Sequence, residues 1–253
     1  MASVLDLSRT GGIDWLEATR GALEPAERRR LRNAALRELV TGLPDRLRLA
    51  TGRRPDHDPV LPPPPDSALA RDAEARCAEQ SVVVQAHSYR TWAFGRALAA
   101  ADEAPGFDDE LFYLGCLLHD HGLDHAVAGE DFTLRSAAVA EACIEPHRPD
   151  DRRLVADMIS AHCTPGATVE VDGVHATYIQ AGATADLLGS RLADLSRGYV
   201  DSVHTDHPRG DLVAGLGARI RAEAAAVPDG RFAMLHRIGF VVAMRTGPSR
   251  RVR

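Results

Sequence analysis

Apolar residues recur at helical spacing through most of this chain, and this periodicity restricts the fold more than any other feature. In the clearest run, His87, Phe94 and Leu98 share one face. The same spacing returns over residues 109–119, 134–144, 154–162 and 176–194, and again near 211–226 and 231–245. No convincing pair of strands interrupts these runs. The sequence therefore predicts an all-α fold, a helical bundle.

The chain divides into three predicted segments. Residues 13–52 indicate helices, one of which begins at Pro25, where proline fits the first turn. A proline-rich linker follows and cannot continue a helix. We therefore predict an N-terminal helical extension with its linker over residues 1–65, a main helical domain over 66–245 and an arginine-rich tail over 246–253. Within the main domain, the alternating residues 168–173 indicate a short hairpin arm.

A histidine is followed directly by an aspartate at the end of an apolar helical run, in the LLHDHG stretch at residues 117–122. A neutral imidazole nitrogen and a carboxylate oxygen are both good ligands for zinc, iron or manganese. Neighbouring helix positions point about 100° apart, so His119 and Asp120 can reach one ion only near a helix end. Gly122 is predicted to supply that end.

Four separate helices each place a potential metal ligand on their apolar face: His87, His119 with Asp120, His162, and Asp186. For a single histidine, a core residue with its own hydrogen bond is the more common case. Asp186 is harder to explain in that way, because a carboxylate facing a core is costly unless it is paired or metal-bound. It lies among glycines and alanines without a cationic partner on its own helix face. The four positions together favour a metal site with room for water, as catalytic sites have; the predicted ligands are His87, His119, Asp120 and Asp186.

In the order and type of these residues, the chain resembles the HD-domain metalloenzymes, whose signature is His, then His-Asp, then a distant Asp. Within that superfamily it resembles the cyanamide hydratase branch, over residues 66–245. Two sites depart from the branch: His121, and the Asp124-His125 pair in the loop that follows Leu123. The resemblance is carried by HSYRTWAFG at 87–95, ELFYLGCLLHDHG at 110–122, Phe132 with Ser136, Ala137 and Ala140, ISAH at 159–162, GATADLLG at 182–189 and HPR at 207–209.

This resemblance implies that residues 66–245 form an HD-type catalytic domain that binds a divalent metal, Zn²⁺ first and Fe²⁺ or Mn²⁺ as alternatives. The expected reaction is a hydration or hydrolysis, in which metal-activated water adds to a nitrile-type carbon, as in the conversion of cyanamide to urea. His162 is the expected acid/base, because imidazole titrates near neutrality. Asp124 and His125 are weaker candidates for proton transfer. Arg90 either binds an anionic substrate or pairs with a carboxylate.

Two other reactions in the same superfamily remain open. A nucleotide or phosphate-ester phosphohydrolase needs positive groups around the phosphates, and Arg90, Arg96 and Arg135 are the candidates. A di-iron oxygenase needs further histidine ligands, from His162 and one of His121, His125 or His147. A helical regulatory module with a degenerate site is disfavoured, because every position of the signature is filled.

Composition limits the partners. The formal net charge is −6, which gives no general attraction to nucleic acid. No apolar run is long enough to span a bilayer, and no secretory signal is visible. The four cysteines have no CxxC spacing and are expected as buried thiols of a reduced protein. All basic residues are arginines, which excludes lysine Schiff-base chemistry. We predict a cytoplasmic enzyme with a small-molecule substrate and no nucleic-acid or membrane partner; homo-oligomerisation is left open.

Overall fold

The computed structural model describes residues 9–246, and over this range the chain is helical and forms no β-strand, as predicted. No helix in this part of the chain combines the length and the apolar character needed to cross a membrane. The α-helices are α1 (Ile13–Thr19), α2 (Pro25–Thr41), α3 (Leu43–Thr51), α4 (Ala68–Cys77), α5 (Val82–Ala101), α6 (Asp109–Leu118), α7 (Phe132–Ile144), α8 (Arg152–Ala161), α9 (Val169–Leu188), α10 (Arg197–Asp206), α11 (Leu212–Ala226), α12 (Arg231–Arg237) and α13 (Phe240–Thr246).

Side-chain caps define the beginnings of several helices. The Ser67 hydroxyl accepts a hydrogen bond from the Ala70 amide at 3.0 Å, where α4 begins. Asp108 and Asp131 do the same at α6 and α7. Such caps satisfy amide groups that have no partner inside the helix. The polar residues between the apolar runs therefore determine where each helix begins.

Helices α5 and α9 form the central pair of the bundle, and two glycines allow them to pack in direct backbone contact. A β-carbon on Gly182 of α9 would lie 2.1 Å from the Thr91 carbonyl oxygen. One on Gly95 of α5 would lie 2.4 Å from the Tyr178 carbonyl oxygen. Any larger residue at either position would push the helices apart. This close approach brings His87 of α5 next to Asp186 of α9.

Three sequence-based boundaries differ from the structure. The predicted hairpin arm at residues 168–173 is wrong, since these residues form the kinked beginning of α9, and the kink lies at Gly173, with φ +81°. The same helix ends at Leu188 rather than near 194, because Gly189 adopts a left-handed conformation that closes it. The single helix expected near 231–245 is two helices, α12 and α13, divided at Gly239, with φ +89°.

The N-terminal extension packs into the same core as the main domain. Trp15 and Leu16 of α1 are buried within that core. Below the Trp15 ring lies Arg231, which is fully buried and donates hydrogen bonds to Asp131 and Thr133. The described part of the extension therefore belongs to the folded body of the protein. Most of the predicted tail, residues 247–253, lies outside the described residues.

Candidate metal centre

His119 and Asp120 occupy the end of a helix, where the sequence required them to be. Helix α6 ends at Leu118, and the backbone of Asp120 has already left the helical conformation. As a result the two neighbouring side chains face one point, with His119 Nε2 3.4 Å from Asp120 Oδ2. Gly122 does not close this helix, contrary to the prediction; it lies in the following 3₁₀ turn, where a β-carbon would lie 2.3 Å from the Phe132 carbonyl oxygen.

Three histidine rings converge on the Asp120 carboxylate. The Nε2 atom of His87 lies 3.7 Å from Oδ2, and that of His162 lies 3.6 Å from Oδ1. His87 and His119 are fully buried, and Asp120 is 5% exposed. The structure therefore brings together residues from α5 and from the ends of α6 and α8, which are far apart in the sequence.

Each of these rings has its Nδ1 atom occupied. His119 and His162 both lie directly after a helix, and their Nδ1 groups bond the carbonyl oxygens of Cys116 and Ile159, three residues earlier, at 2.7 and 2.6 Å. His87 Nδ1 lies 2.7 Å from Asp186 Oδ2. Because carbonyl and carboxylate oxygens only accept hydrogen bonds, the proton of each neutral ring is on Nδ1. Each Nε2 therefore presents a lone pair to Asp120, as in histidines that bind metal.

Three imidazole Nε2 atoms and a carboxylate thus meet in one place. The Nε2 atoms of His87 and His119 are buried and have no hydrogen-bond partner, a costly arrangement unless a cation satisfies them. Two ligands of a tetrahedral zinc ion lie about 3.4 Å apart for bonds of about 2.1 Å, which agrees with the spacing of these atoms. The ligand atoms of His87, His119 and Asp120 all lie within 4.8 Å of one another, so this buried group could hold a metal ion.

The electrostatics of the centre also favour a cation. Burial lowers the pKa of His87 and of His162, so both rings are neutral near pH 7 and available as ligands. Burial alone would raise the pKa of Asp120, but the neighbouring imidazoles hold it well below its usual range. In addition, α6 and α8 point their C-terminal ends, which carry partial negative charge, at the same place. Burial alone would lower the pKa of His119, but the Asp120 carboxylate raises it. The centre is therefore an ionised carboxylate with two neutral imidazoles and a third, His119, whose proton an incoming cation would displace.

Asp186 lies behind His87 rather than beside the converging Nε2 atoms. Its carboxylate takes the hydrogen bond of His87 Nδ1 and two from Arg90, whose Nε and Nη2 atoms lie 2.9 Å from its oxygens. Burial alone would raise the pKa of Asp186, but Arg90 keeps it well below its usual range. Direct coordination of an ion by Asp186 stays a prediction; the observed contacts make it the residue that orients His87.

Arg90 adopts the second of its two expected roles, pairing with a carboxylate. It is fully buried, and Nη1 donates to the carbonyl oxygens of His207 and Pro208 at 3.0 and 3.1 Å. Arg209 lies 3.5 Å from Asp186 on the other side. The two arginines therefore fix the HPR segment, residues 207–209, against the back of the centre.

Asp186→Asn is expected to lower the free energy of unfolding by about 3–5 kcal/mol, because it leaves the Arg90 charge buried and unpaired. Metal affinity is expected to fall by about 10–100-fold, the usual effect of removing a carboxylate behind a metal-binding histidine. Urea denaturation and metal titration measure the two effects, with the exposed Asp206→Asn as the control. Complete loss of the metal would instead indicate that Asp186 is itself a ligand.

The other predicted proton-transfer residues lie away from the centre. Asp124 accepts hydrogen bonds from the Ser81 amide and hydroxyl, both at 2.7 Å, where α5 begins, and it pairs with Arg219. These contacts outweigh the effect of burial and lower the pKa of Asp124. Its position is that of a carboxylate that holds Ser81 and Arg219 in place rather than of an acid or base in the site. His125 is exposed and is also outside the site.

A cavity of about 370 Å³ opens onto the centre, with His87, His119, Asp120 and His162 in its wall. The remaining wall comes from α2, α9, α11, α12 and α13 and is mainly apolar. It includes a second cluster of apolar side chains beside the main core. The members that face the cavity are Leu39, Leu123, Leu187, Leu188, Leu216, Ile220, Phe232 and Phe240.

The sequence reasoning missed the contribution of α2 to this cavity. Ala35, Glu38 and Leu39 line it, although they belong to the predicted N-terminal extension. Glu38 also accepts a hydrogen bond from the Gly166 amide at 2.6 Å, which ties α2 to the loop after His162. The apolar spacing of Ala35 and Leu39 marks a buried face of α2, but nothing in the sequence indicates which part of the domain that face contacts.

No protein-family model matches this chain, and no curated protein matches it. The interpretation of the centre therefore depends on its own chemistry: a buried carboxylate, three imidazoles with their Nε2 atoms turned towards it, and a cavity that leads to them. The HD-domain resemblance stays a prediction.

Proposed function

We propose that this protein is a metal-dependent hydratase or hydrolase of a small molecule, of the kind that the cyanamide hydratases represent. The observation that carries the proposal is the meeting of a carboxylate and three imidazole Nε2 atoms at the wall of a cavity, where the buried Nε2 atoms of His87 and His119 have no hydrogen-bond partner. A structural metal site would be closed on all sides by protein ligands, whereas a catalytic one keeps a position open. Here the cavity provides the open side.

In this proposal His87, His119 and Asp120 hold a divalent ion, with Zn²⁺ the first choice for a set of imidazole and carboxylate ligands. Such an ion would lower the pKa of a bound water towards 7 and supply a nucleophile at neutral pH. His162 faces the same cavity, and its Nε2 carries a lone pair that can accept a proton from that water and return it to the product. Asp186 and Arg90 keep the His87 ring in its metal-binding orientation.

The phosphohydrolase alternative receives less support, because the three arginines considered for it have other partners. Arg90 bonds Asp186, Arg96 bonds Asp109 at 2.8 Å, and Arg135 bonds Glu223 at 3.1 Å. None of the three lines the cavity. A phosphate entering it would therefore meet the proposed ion but none of the three arginines that were expected to stabilise its charge.

The di-iron alternative receives less support as well. Among residues 9–246, the only metal-binding group found is His87 with His119 and Asp120. Of the further histidines considered, His162 lies beside the centre, whereas His121 faces Glu79 and His147 pairs with Asp72. One ion per chain is the number that this arrangement favours.

The test is metal analysis of the purified protein together with a substrate panel of cyanamide, other nitriles and nucleotides. We expect about one equivalent of a divalent metal, hydration of at least one nitrile-type substrate and no release of phosphate. Phosphate release from nucleotides would favour the alternative instead, and two equivalents of iron would favour the oxygenase. A protein that binds no metal would overturn the proposal.

A further inference from the structure

The cavity is far larger than cyanamide requires. A water molecule in the liquid occupies about 30 Å³, so a cavity of about 370 Å³ holds a molecule of roughly ten non-hydrogen atoms. This volume lies in the range of pockets that enclose an organic ligand. Cyanamide would occupy only a small part of it and would leave the apolar wall in contact with water. The cavity is therefore shaped for a substrate with a larger organic part.

The wall that would contact this organic part is apolar on several sides. Leu216 and Ile220 of α11, Leu187 of α9 and Phe232 of α12 all face the cavity. Leu39 of α2 closes the opposite side. Each buried methylene of a ligand contributes about 0.8 kcal/mol to binding by leaving water, or close to fourfold in affinity. The wall thus favours hydrocarbon over polar groups.

The charges around the cavity disfavour an anion. Glu38 and Asp45 are acidic groups in its wall, in addition to Asp120 of the centre. Arg191 is the only arginine in the wall, among the residues that the structure describes. Its Nη atoms both donate to Asp102 at 2.8 Å, and its Nε atom donates to Asp194 at 3.0 Å. A carboxylate or phosphate on the organic part of the ligand, away from the metal centre, would find no uncommitted cationic partner there.

From these three observations we propose that the cavity takes an uncharged, mainly apolar organic molecule of roughly ten non-hydrogen atoms, with its reactive group at the Asp120 end. An aromatic or branched aliphatic nitrile is the corresponding substrate class. The identity of the reactive group rests on the proposed function, whereas the size, polarity and charge of the organic part rest on the cavity alone.

Two matched pairs of probes test this proposal with the full-length protein. Phenylacetylene and 4-ethynylbenzoate share a shape and differ in charge, and neither contains a nitrile; their binding is measured by calorimetry. Benzonitrile and 4-cyanobenzoate are the corresponding substrates, and their hydration is compared with that of cyanamide. We expect the neutral member of each pair to exceed the anionic one at least tenfold, in affinity or in kcat/KM, and benzonitrile to exceed cyanamide in kcat/KM.

Ile220→Asn places a polar group in the apolar wall and is expected to weaken phenylacetylene binding at least tenfold. Ile220→Leu should restore it, and Leu47→Asn, an exposed site on α3 outside the cavity, should leave it unchanged. Circular dichroism checks that each variant is folded. The comparison of neutral and anionic probes uses only the wild-type protein and does not depend on the folding of any variant.

The outcomes separate this inference from the proposed function. Hydration of cyanamide without binding of phenylacetylene would overturn the inference and leave the proposed function intact. Binding of phenylacetylene without hydration of any nitrile would support the inference and count against the nitrile chemistry. Equal binding of the neutral and anionic probes would overturn the inference directly.

Discussion

Replacing Asp120 with alanine is expected to remove nearly all bound metal and to reduce turnover to the background rate. Asp120 is the residue on which all three imidazoles converge, with separations of 3.4 to 3.7 Å from Nε2 to a carboxylate oxygen. Without it, the converging group retains imidazole rings but no carboxylate to coordinate the ion. Because the ion supplies the nucleophile in the proposed reaction, loss of metal and loss of activity should occur together.

Asp124→Ala is a matched control for this variant, since the same change is made four residues later in the chain. Asp124 accepts two hydrogen bonds from Ser81, the residue before α5, and does not line the cavity, so its loss should lower stability by about 1–2 kcal/mol and leave the metal bound. Elemental analysis, urea denaturation and turnover are measured on each preparation. Wild-type turnover in a metal-free Asp120→Ala protein would contradict the proposed chemistry, and loss of metal in Asp124→Ala would contradict the geometry.

His162→Ala is expected to keep the metal yet lose about 10²–10⁴-fold in kcat, the usual range for a positioned acid or base. The ring faces the cavity, and its Nδ1 is held by the Ile159 carbonyl oxygen. It is not required for the compact ligand group, which His87, His119 and Asp120 complete. In the variant, the dependence of kcat on pH should also lose the ionisation that His162 contributes.

The competing explanation for His162 is a core histidine that only caps the end of α8. In that case the variant would have a lower melting temperature and a nearly normal rate per folded molecule. His147→Ala, which removes a histidine that pairs with Asp72 outside the site, is the control for a general effect of the substitution. Loss of metal in His162→Ala would favour a larger ligand set and strengthen the oxygenase alternative.

The helical pattern predicted most of the fold, because the apolar positions alone determine which face of a helix is buried. It failed where a single residue interrupts the pattern. Gly173 and Gly239 adopt positive φ values that bend or divide a helix. Gly182 and Gly95, by contrast, lie within regular helical turns. The sequence does not distinguish a glycine that bends the chain from one that lets a neighbouring helix approach closely, because the second depends on which helix packs against it.

The centre was predictable in its residues but only partly in its arrangement. His119 and Asp120 could be identified from the sequence because they are adjacent and follow an apolar run. The support behind His87 did not, because Asp186 is paired by Arg90 from a different helix, and a search of its own helix face finds no cation. Asp124 was misleading for a similar reason: its partners, Ser81 and Arg219, come from distant parts of the chain.

Helix α2 lies outside the stretch that carries the metal-binding residues, yet it forms part of the cavity wall through Ala35 and Leu39. Changes in α2 can therefore alter which molecules fit without touching the residues that perform the chemistry. Mutations in α2 would then change which molecules the cavity admits while the proposed metal ligands stay the same. Any shortened version of the protein that is meant to keep this cavity wall must therefore keep α2.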